Sequence, residues 1–338
     1  MSITTYNYSA HAIEDLYKLI PRLEQDNMPE AAFATNELIK GLKNSVKFIL
    51  PPGGKLFDHD MPTKGELELF KLPFPVVAAE FPAIHTEADD IDSQYNLNTC
   101  SKRIALAFEV GEKGDADYFA FPELPNEFSG ATLIWPIDFI DDLQQWYPGW
   151  CGVLEFHGHH IEQTTSAEKN LAKKMLKQSG VSSLKVSPII LRRIFIPFGE
   201  IGKQQTVLLK NKGMSVEYTQ TIDTTAESTA IRQMCSVLNC SNVETKTVSP
   251  SKKLNKKRAQ KGKQPLFEYK ILEVTPQSAK IPHMGGSHAS PRIHLRRGHI
   301  RRLPEKQVWV QPCVVGEKKN GVIMKDYKIR DQQSSVAA

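Results

Sequence analysis

The sequence has no apolar run long enough to span a bilayer and no charged-then-apolar leader at its start, so a cytoplasmic protein without a membrane partner is the expectation. Cysteine is sparse as well. Five are scattered at Cys100, Cys151, Cys235, Cys240 and Cys313, an odd number that argues against a disulfide framework and for reduced thiols. Cys235 and Cys240 have four residues between them, but no second pair and no nearby histidine complete a zinc set. Walker-type phosphate loops are absent: Gly53-Gly54-Lys55 after Pro51-Pro52 lacks both the spacing and the following Ser or Thr. No nucleophile elbow occurs either. These gaps weigh against a nucleoside triphosphatase and against a serine or cysteine hydrolase, and no cofactor is assigned.

What is present is ordinary in amount and uneven in placement. An apolar share of 40% and a charged share of 24% describe a globular chain, and 21 prolines with 20 glycines imply many turns. At 338 residues the chain exceeds the size at which single cores stop growing. The net charge of +5 conceals a division. Residues 252–302 carry fourteen Lys and Arg against Glu268 and Glu273, a net +12, and 303–338 add +2, which leaves −9 on the first 251 residues. A clustered positive field acts on a polyanion as dispersed charge does not. The expected organisation is an acidic body over 1–250, a basic β-rich module over 251–330 and a disordered tail over 331–338.

In the body, Ile13, Leu16, Tyr17 and Ile20 repeat at helical spacing after Ser9, with Pro21 placed to end the run. A second helix starts at Pro29, with Phe33, Ile39 and Leu42 as its stripe and Gly41 near its end. Short runs rich in β-branched and aromatic residues follow at 46–50, 76–81, 104–110, 118–121, 131–140 and 152–156, and predict a mainly antiparallel sheet. Leu72-Pro73-Phe74-Pro75 reads as a stiff lead-in to a strand. Thr165 with Glu168 and Thr224 with Glu227 fit capping boxes for helices over 165–179 and 224–239. Strands are expected at 189–197 and 206–209, more weakly at 216–220. Ile231, Met234, Cys235 and Leu238 make a buried stripe, which places Cys235 in the core.

Two histidine groups stand out. His157, His159 and His160 fall within four residues, and a strand would put His157 and His159 on one face, but no spacing supplies a third ligand and no metal is assigned. The other lies at 283–302, where four of the ten histidines meet five arginines. His294, Arg296, Arg297, His299 and Arg301 set imidazoles beside guanidinium forks, the side chains suited to holding phosphate and moving protons next to it. Upstream, Lys252, Lys253, Lys256, Lys257, Arg258, Lys261 and Lys263 form what composition reads as a solvated basic loop. Behind it, 266–274 reads as a strand, and 307–315 with 322–329 as a hairpin about Asn320-Gly321.

Leu254-Asn255-Lys256-Lys257-Arg258, Gly286-Ser287-His288, Pro291-Arg292, His294-Leu295-Arg296-Arg297-Gly298-His299-Ile300-Arg301, Val308-Trp309-Val310 and Lys325-Asp326-Tyr327 together resemble a signature of bacteriophage and prophage proteins of uncharacterised function. The likeness covers about the last 85 residues. It implies a phage-encoded protein acting in a bacterial host cell and hands over no reaction.

Three functions are carried forward. The first is nucleic-acid binding, RNA or DNA, in which Lys256, Lys257, Arg258, Lys261, Lys263, Arg292, Arg296, Arg297, Arg301 and Arg302 neutralise phosphates and Tyr269, Trp309 and Tyr327 are candidate stacking platforms. The second is a metal-independent endoribonuclease with His294 and His299 as acid and base and Arg297 steadying the transition-state charge. Those histidines are an odd number apart, so a regular strand opposes them unless Gly298 turns the chain. The third is a host-protein-binding or virion-assembly component without nucleic-acid affinity. The fold class expected is α+β: an N-terminal helical hairpin, a mixed and mainly antiparallel sheet, and a small β-rich basic C-terminal module.

Overall fold

The computed structural model describes residues 5–56, 70–84, 100–110, 131–155, 161–163, 189–191, 193–274, 292–296, 299–302, 307–310, 313–315 and 317–322. The chain divides into two compact units, Met1–Asn239 with Val243–Glu273, and Cys240–Asn242 with Val274–Ala338.

The first unit opens on the expected helical hairpin, α1 (Tyr8–Gln25) and α2 (Pro29–Asn44). Pro21 does not end α1. It sits on the exposed side of the helix, where its missing N–H is tolerated, while Leu19 and Leu23 carry the buried stripe past it. In α2 the stripe is Ala31, Ala34, Leu38, Ile39 and Leu42, and Phe33 points out. Gly41 is inside the helix rather than at its end: a Cβ there would lie 2.5 Å from the ring of Phe108, so the glycine lets the helix press onto the sheet.

That sheet has nine strands. Strands β1 (Val46–Ile49), β2 (Val76–Pro82), β3 (Cys100–Glu109), β4 (Thr132–Ile140), β5 (Gln145–Pro148), β6 (Cys151–Glu155), β9 (Arg193–Pro197), β10 (Val243–Val248) and β11 (Tyr269–Val274) line up as β10-β11-β1-β2-β3-β4-β6-β9, with β5 folding back on β4. Between β6 and β9, β7 (Ile161–Gln163) and β8 (Ile189–Leu191) pair with each other. β1 runs parallel to β2 and β11, and the pairs from β2 through β9 are antiparallel. The α+β expectation of a helix pair followed by a mixed, mostly antiparallel sheet holds.

Both faces of the sheet are covered, and the alternation of side chains assigns each residue to a face. Val76, Ala78, Ile104, Leu106, Leu133, Trp135 and Ile137 pack under α1 and α2. Val77, Ala79, Phe81, Ala105, Ala107, Ile134 and Val153 face the other way, onto Ala230, Ile231, Met234 and Cys235. These last four belong to α4 (Val216–Leu238), which follows α3 (Gly199–Asn211). The helix expected from Thr224 therefore begins eight residues earlier, at Val216, capped by Ser215, whose hydroxyl accepts from Tyr218 N–H. Thr224 bonds back to Gln220 O instead of capping. Residues 206–209 and 216–220, read as strands from their β-branched residues, are helical. Gly53 and Gly54 form a positive-φ turn beneath α4, where a Cβ on Gly54 would meet Ala230 at 2.6 Å.

In the second unit, β12 (Arg292–Arg296), β15 (Cys313–Val315) and β16 (Glu317–Val322) form one sheet, ordered β15-β12-β16, and β13 (His299–Arg302) pairs with β14 (Gln307–Val310). Asn320-Gly321, expected at a hairpin turn, lie within β16, which pairs with β12 at Glu317 and Val322 with an irregularity in register between them. The helix expected over 165–179, the strand over 118–121 and the tail over 331–338 lie outside the described residues. Among the described residues no helix is long and apolar enough to cross a membrane.

Candidate functional site

The basic stretch read as a loop is a helix, α5 (Lys252–Gln260), closed by Gly262 at φ 66°. All of its residues but Asn255 are good helix formers, yet the placement of their charges opposes the helix. The first turn holds Lys252 and Lys253 with no acidic residue, and Ser251 makes no side-chain cap, so both charges stand at the end of the helix dipole that disfavours them. Lys252 with Lys256 and Lys253 with Lys257 are like-charge pairs at i and i+4, each destabilising by about 0.2–0.5 kcal/mol.

Tertiary hydrogen bonds hold the helix in place. Asn255 Nδ2 donates to Leu266 O at 2.9 Å and its Oδ1 accepts from Leu266 N–H at 2.8 Å. Arg258 Nε donates to Gln264 O at 2.8 Å, and its guanidinium pairs with Glu14 of α1 at 2.7 Å. Glu14 also accepts from Gln264 N–H. Asn255 and Arg258 are the half-buried residues of α5, and the helix buries no side chain fully.

Those two anchors fix which side faces outward. At 100° per residue, Lys253, Lys256, Lys257 and Gln260 fall on the opposite half of the helix, Lys252 and the capping Lys261 stand at its edges, and all are exposed, as is Lys263 beyond the end. None of these lysines has an ion pair among the described residues. Lys256, Lys257, Lys261 and Lys263 are thus exposed, whereas the guanidinium of Arg258 is engaged with Glu14 and Gln264.

The remaining candidates are distributed differently. Tyr269 is no stacking platform: it is fully buried, and its hydroxyl donates to Glu80 at 2.8 Å. Arg292, His294 and Arg296 are on β12, and His299, Arg301 and Arg302 on β13. In register His294 faces Val315 and His299 faces Val310, so pairing does not set the two histidines opposite each other. Arg297, Tyr327 and the histidines at 157, 159 and 160 lie outside the described residues.

Two buried ionic groups were not anticipated. On the α4 side of the sheet, Arg103 and Asp138 are cross-strand partners, and Arg103 Nη1 donates to Glu227 Oε1 of α4 at 3.2 Å. Burial pushes the Glu227 carboxyl up to about 7 against the pull of Arg103. Its Oε2 and the neighbouring Ser228 Oγ have no hydrogen-bond partner among the described residues. On the other face Glu80 accepts from Tyr8 N–H, Ser9 N–H, Ser9 Oγ and Tyr269 Oη. Burial raises its carboxyl although the hydrogen bonds from Ser9, Tyr269 and Tyr8 lower it. Lys47, buried over the Phe267 ring at 3.7 Å, is brought down to about 8, first by desolvation. The signal for both groups was a charged residue inside an otherwise apolar strand run, Glu80 in Val76–Pro82 and Asp138 in Thr132–Ile140.

No family model matches the chain, and no curated protein or solved structure matches it.

Proposed function

We propose that this is a phage-encoded nucleic-acid-binding protein, regulatory or host-directed, that takes up phosphates on the lysine face of α5 and, in its second unit, on the arginines of β12 and β13. The observation that carries the reading is the exposed row of six lysines at Lys252, Lys253, Lys256, Lys257, Lys261 and Lys263, unpaired among the described residues and held outward by Asn255 and Arg258. A helix that keeps like charges at i and i+4 gives up stability in the free protein, and a polyanion laid along it removes that repulsion. Counterion release from the polyanion then drives association.

The test is a titration of labelled single-stranded RNA, single-stranded DNA and duplex DNA in EDTA at several salt concentrations. The native protein is compared with a Lys253→Gln, Lys257→Gln, Lys261→Gln variant. The expected outcome is salt-dependent binding whose log–log slope on duplex falls by about 2.7 in the variant. Equal affinity and slope in both proteins would remove α5 from the binding surface, and no binding to any probe at low salt would move the reading to a protein partner. Cleavage of the RNA in EDTA, lost in His299→Ala, would identify the ribonuclease.

A further inference from the structure

We propose that α5 holds nucleic acid through its phosphate backbone and without regard to sequence. The inference rests on the nucleic-acid reading of α5 and specifies which part of the polymer that helix contacts. Base edges are read by bidentate donors and acceptors, chiefly arginine or lysine on guanine and asparagine or glutamine on adenine. α5 contains one arginine and one asparagine, and both are used inside the protein. Arg258 is engaged with Gln264 O and Glu14. Asn255 uses its carbonyl and its amide on the backbone of Leu266.

The outward face is left with lysines, compact and rotatable point charges that suit phosphate oxygens and lack the rigid fork of arginine. A lysine that instead donates to guanine would show as a duplex preference lost in the lysine variant. No aromatic residue stands on α5, so bases have nothing there to stack on. Gln260 is the single outward residue with a base-reading amide, and it is the last residue of the helix. The outward half also has no apolar residue to enter a lipid interface: Leu254 and Ala259, both exposed, stand to the anchored side of the lysines.

The experiment uses the full chain and two duplexes of equal length and base composition but scrambled sequence, each titrated across a salt series. Vesicles of phosphatidylserine and phosphatidylcholine form a separate arm. Affinities for the two duplexes should agree within about threefold at every salt concentration, where base readout would separate them by about tenfold or more per changed contact. Lys253→Gln with Lys257→Gln should lower both slopes by about 1.8, and Gln260→Ala should leave the ratio unchanged.

A ratio of tenfold or more that collapses in Gln260→Ala or in the Lys253→Gln, Lys257→Gln variant would overturn the proposal and leave α5 as a reader of bases. The same ratio kept in both variants would overturn it by placing recognition on another element, with nucleic-acid binding still standing. Tighter binding to vesicles than to duplex would overturn it in favour of a lipid surface. Absence of binding to either duplex at low salt would instead remove the nucleic-acid function itself.

Discussion

Glu80 caps a helix to which it does not belong. Its carboxylate accepts Ser9 N–H at 2.7 Å and Ser9 Oγ at 2.6 Å, and the same group takes Tyr8 N–H and Tyr269 Oη. No local side chain caps α1, so a strand carboxylate 71 residues away satisfies its orphan donors and ties α1, β2 and β11 at one point.

Glu80→Ala should therefore be among the most damaging single changes in the first unit. It strands the buried Ser9 N–H and the buried Tyr269 phenol, each costing about 1–3 kcal/mol, and the part-buried Tyr8 N–H besides. An unfolding free energy from denaturant titration lowered by about 3 kcal/mol or more, with Ser9→Ala losing about 1 kcal/mol, is the expected pattern. Equal, small losses in both variants would show that solvent can replace the cap.

Gly152 of β6 should not accept a side chain. A Cβ there would sit 2.4 Å from Cε3 of Trp135, a buried indole whose Nε1 donates to Gly149 O at 3.3 Å. Gly152→Ala should cost about 1–3 kcal/mol by forcing the ring off its rotamer. Near-ultraviolet circular dichroism and a denaturation curve would register both effects, and a wild-type midpoint would mean that β4 and β6 part easily.

The legible parts of the chain were those where local pattern and packing agree. β2, β3 and β4 announce themselves as β-branched and aromatic runs because both faces are buried. Thr206-Val207-Leu208-Leu209 has the same composition and is helical: of these four only Leu209 is buried, while Val207 and Leu208 are exposed, a helical and not an alternating arrangement. α5 was illegible for the opposite reason. Its composition is that of a solvated loop, and the bonds that make it a helix run to Leu266, Gln264 and Glu14. The lysines of the candidate site could be named from sequence, but which way they face depended on Asn255 and Arg258. Arg103, Asp138 and Glu227 meet across more than a hundred residues of chain, and no spacing rule connects them.

The pairing of Arg258 with Glu14 predicts an indirect effect on binding. The pair is partly exposed, so Arg258→Ala should cost only about 1 kcal/mol of overall stability. It also removes the bond to Gln264 O, leaving α5 held chiefly by Asn255. Amide hydrogen exchange in 252–260 should accelerate well beyond the rest of the unit. Nucleic-acid affinity should fall while the salt slope stays within about 0.5 of wild type, because no phosphate contact is deleted. A slope lowered by about 1 would mean that Arg258 leaves Glu14 to touch phosphate.

Glu227 gives the first unit a pH dependence whose sign can be worked out. Burial raises its carboxyl to about 7 in the folded chain, whereas an unfolded carboxyl titrates at about 4.3. Between those values the folded state holds a proton that the unfolded state has released, so stability falls as pH rises through the window and the loss is complete above the folded value. Glu227→Gln keeps the shape and a hydrogen bond acceptor for Arg103 while removing the titration. It should flatten the decline between pH 5 and pH 8, with the variant gaining on wild type at the upper end. Arg103→Met leaves the Glu227 and Asp138 carboxylates facing each other without their cation. That variant should make the decline steeper, and breaking a buried pair this way costs about 3–5 kcal/mol. Urea unfolding at pH 5, 6.5 and 8 on the three proteins would decide it, and parallel stability curves for wild type and Glu227→Gln would place the pH dependence in another group.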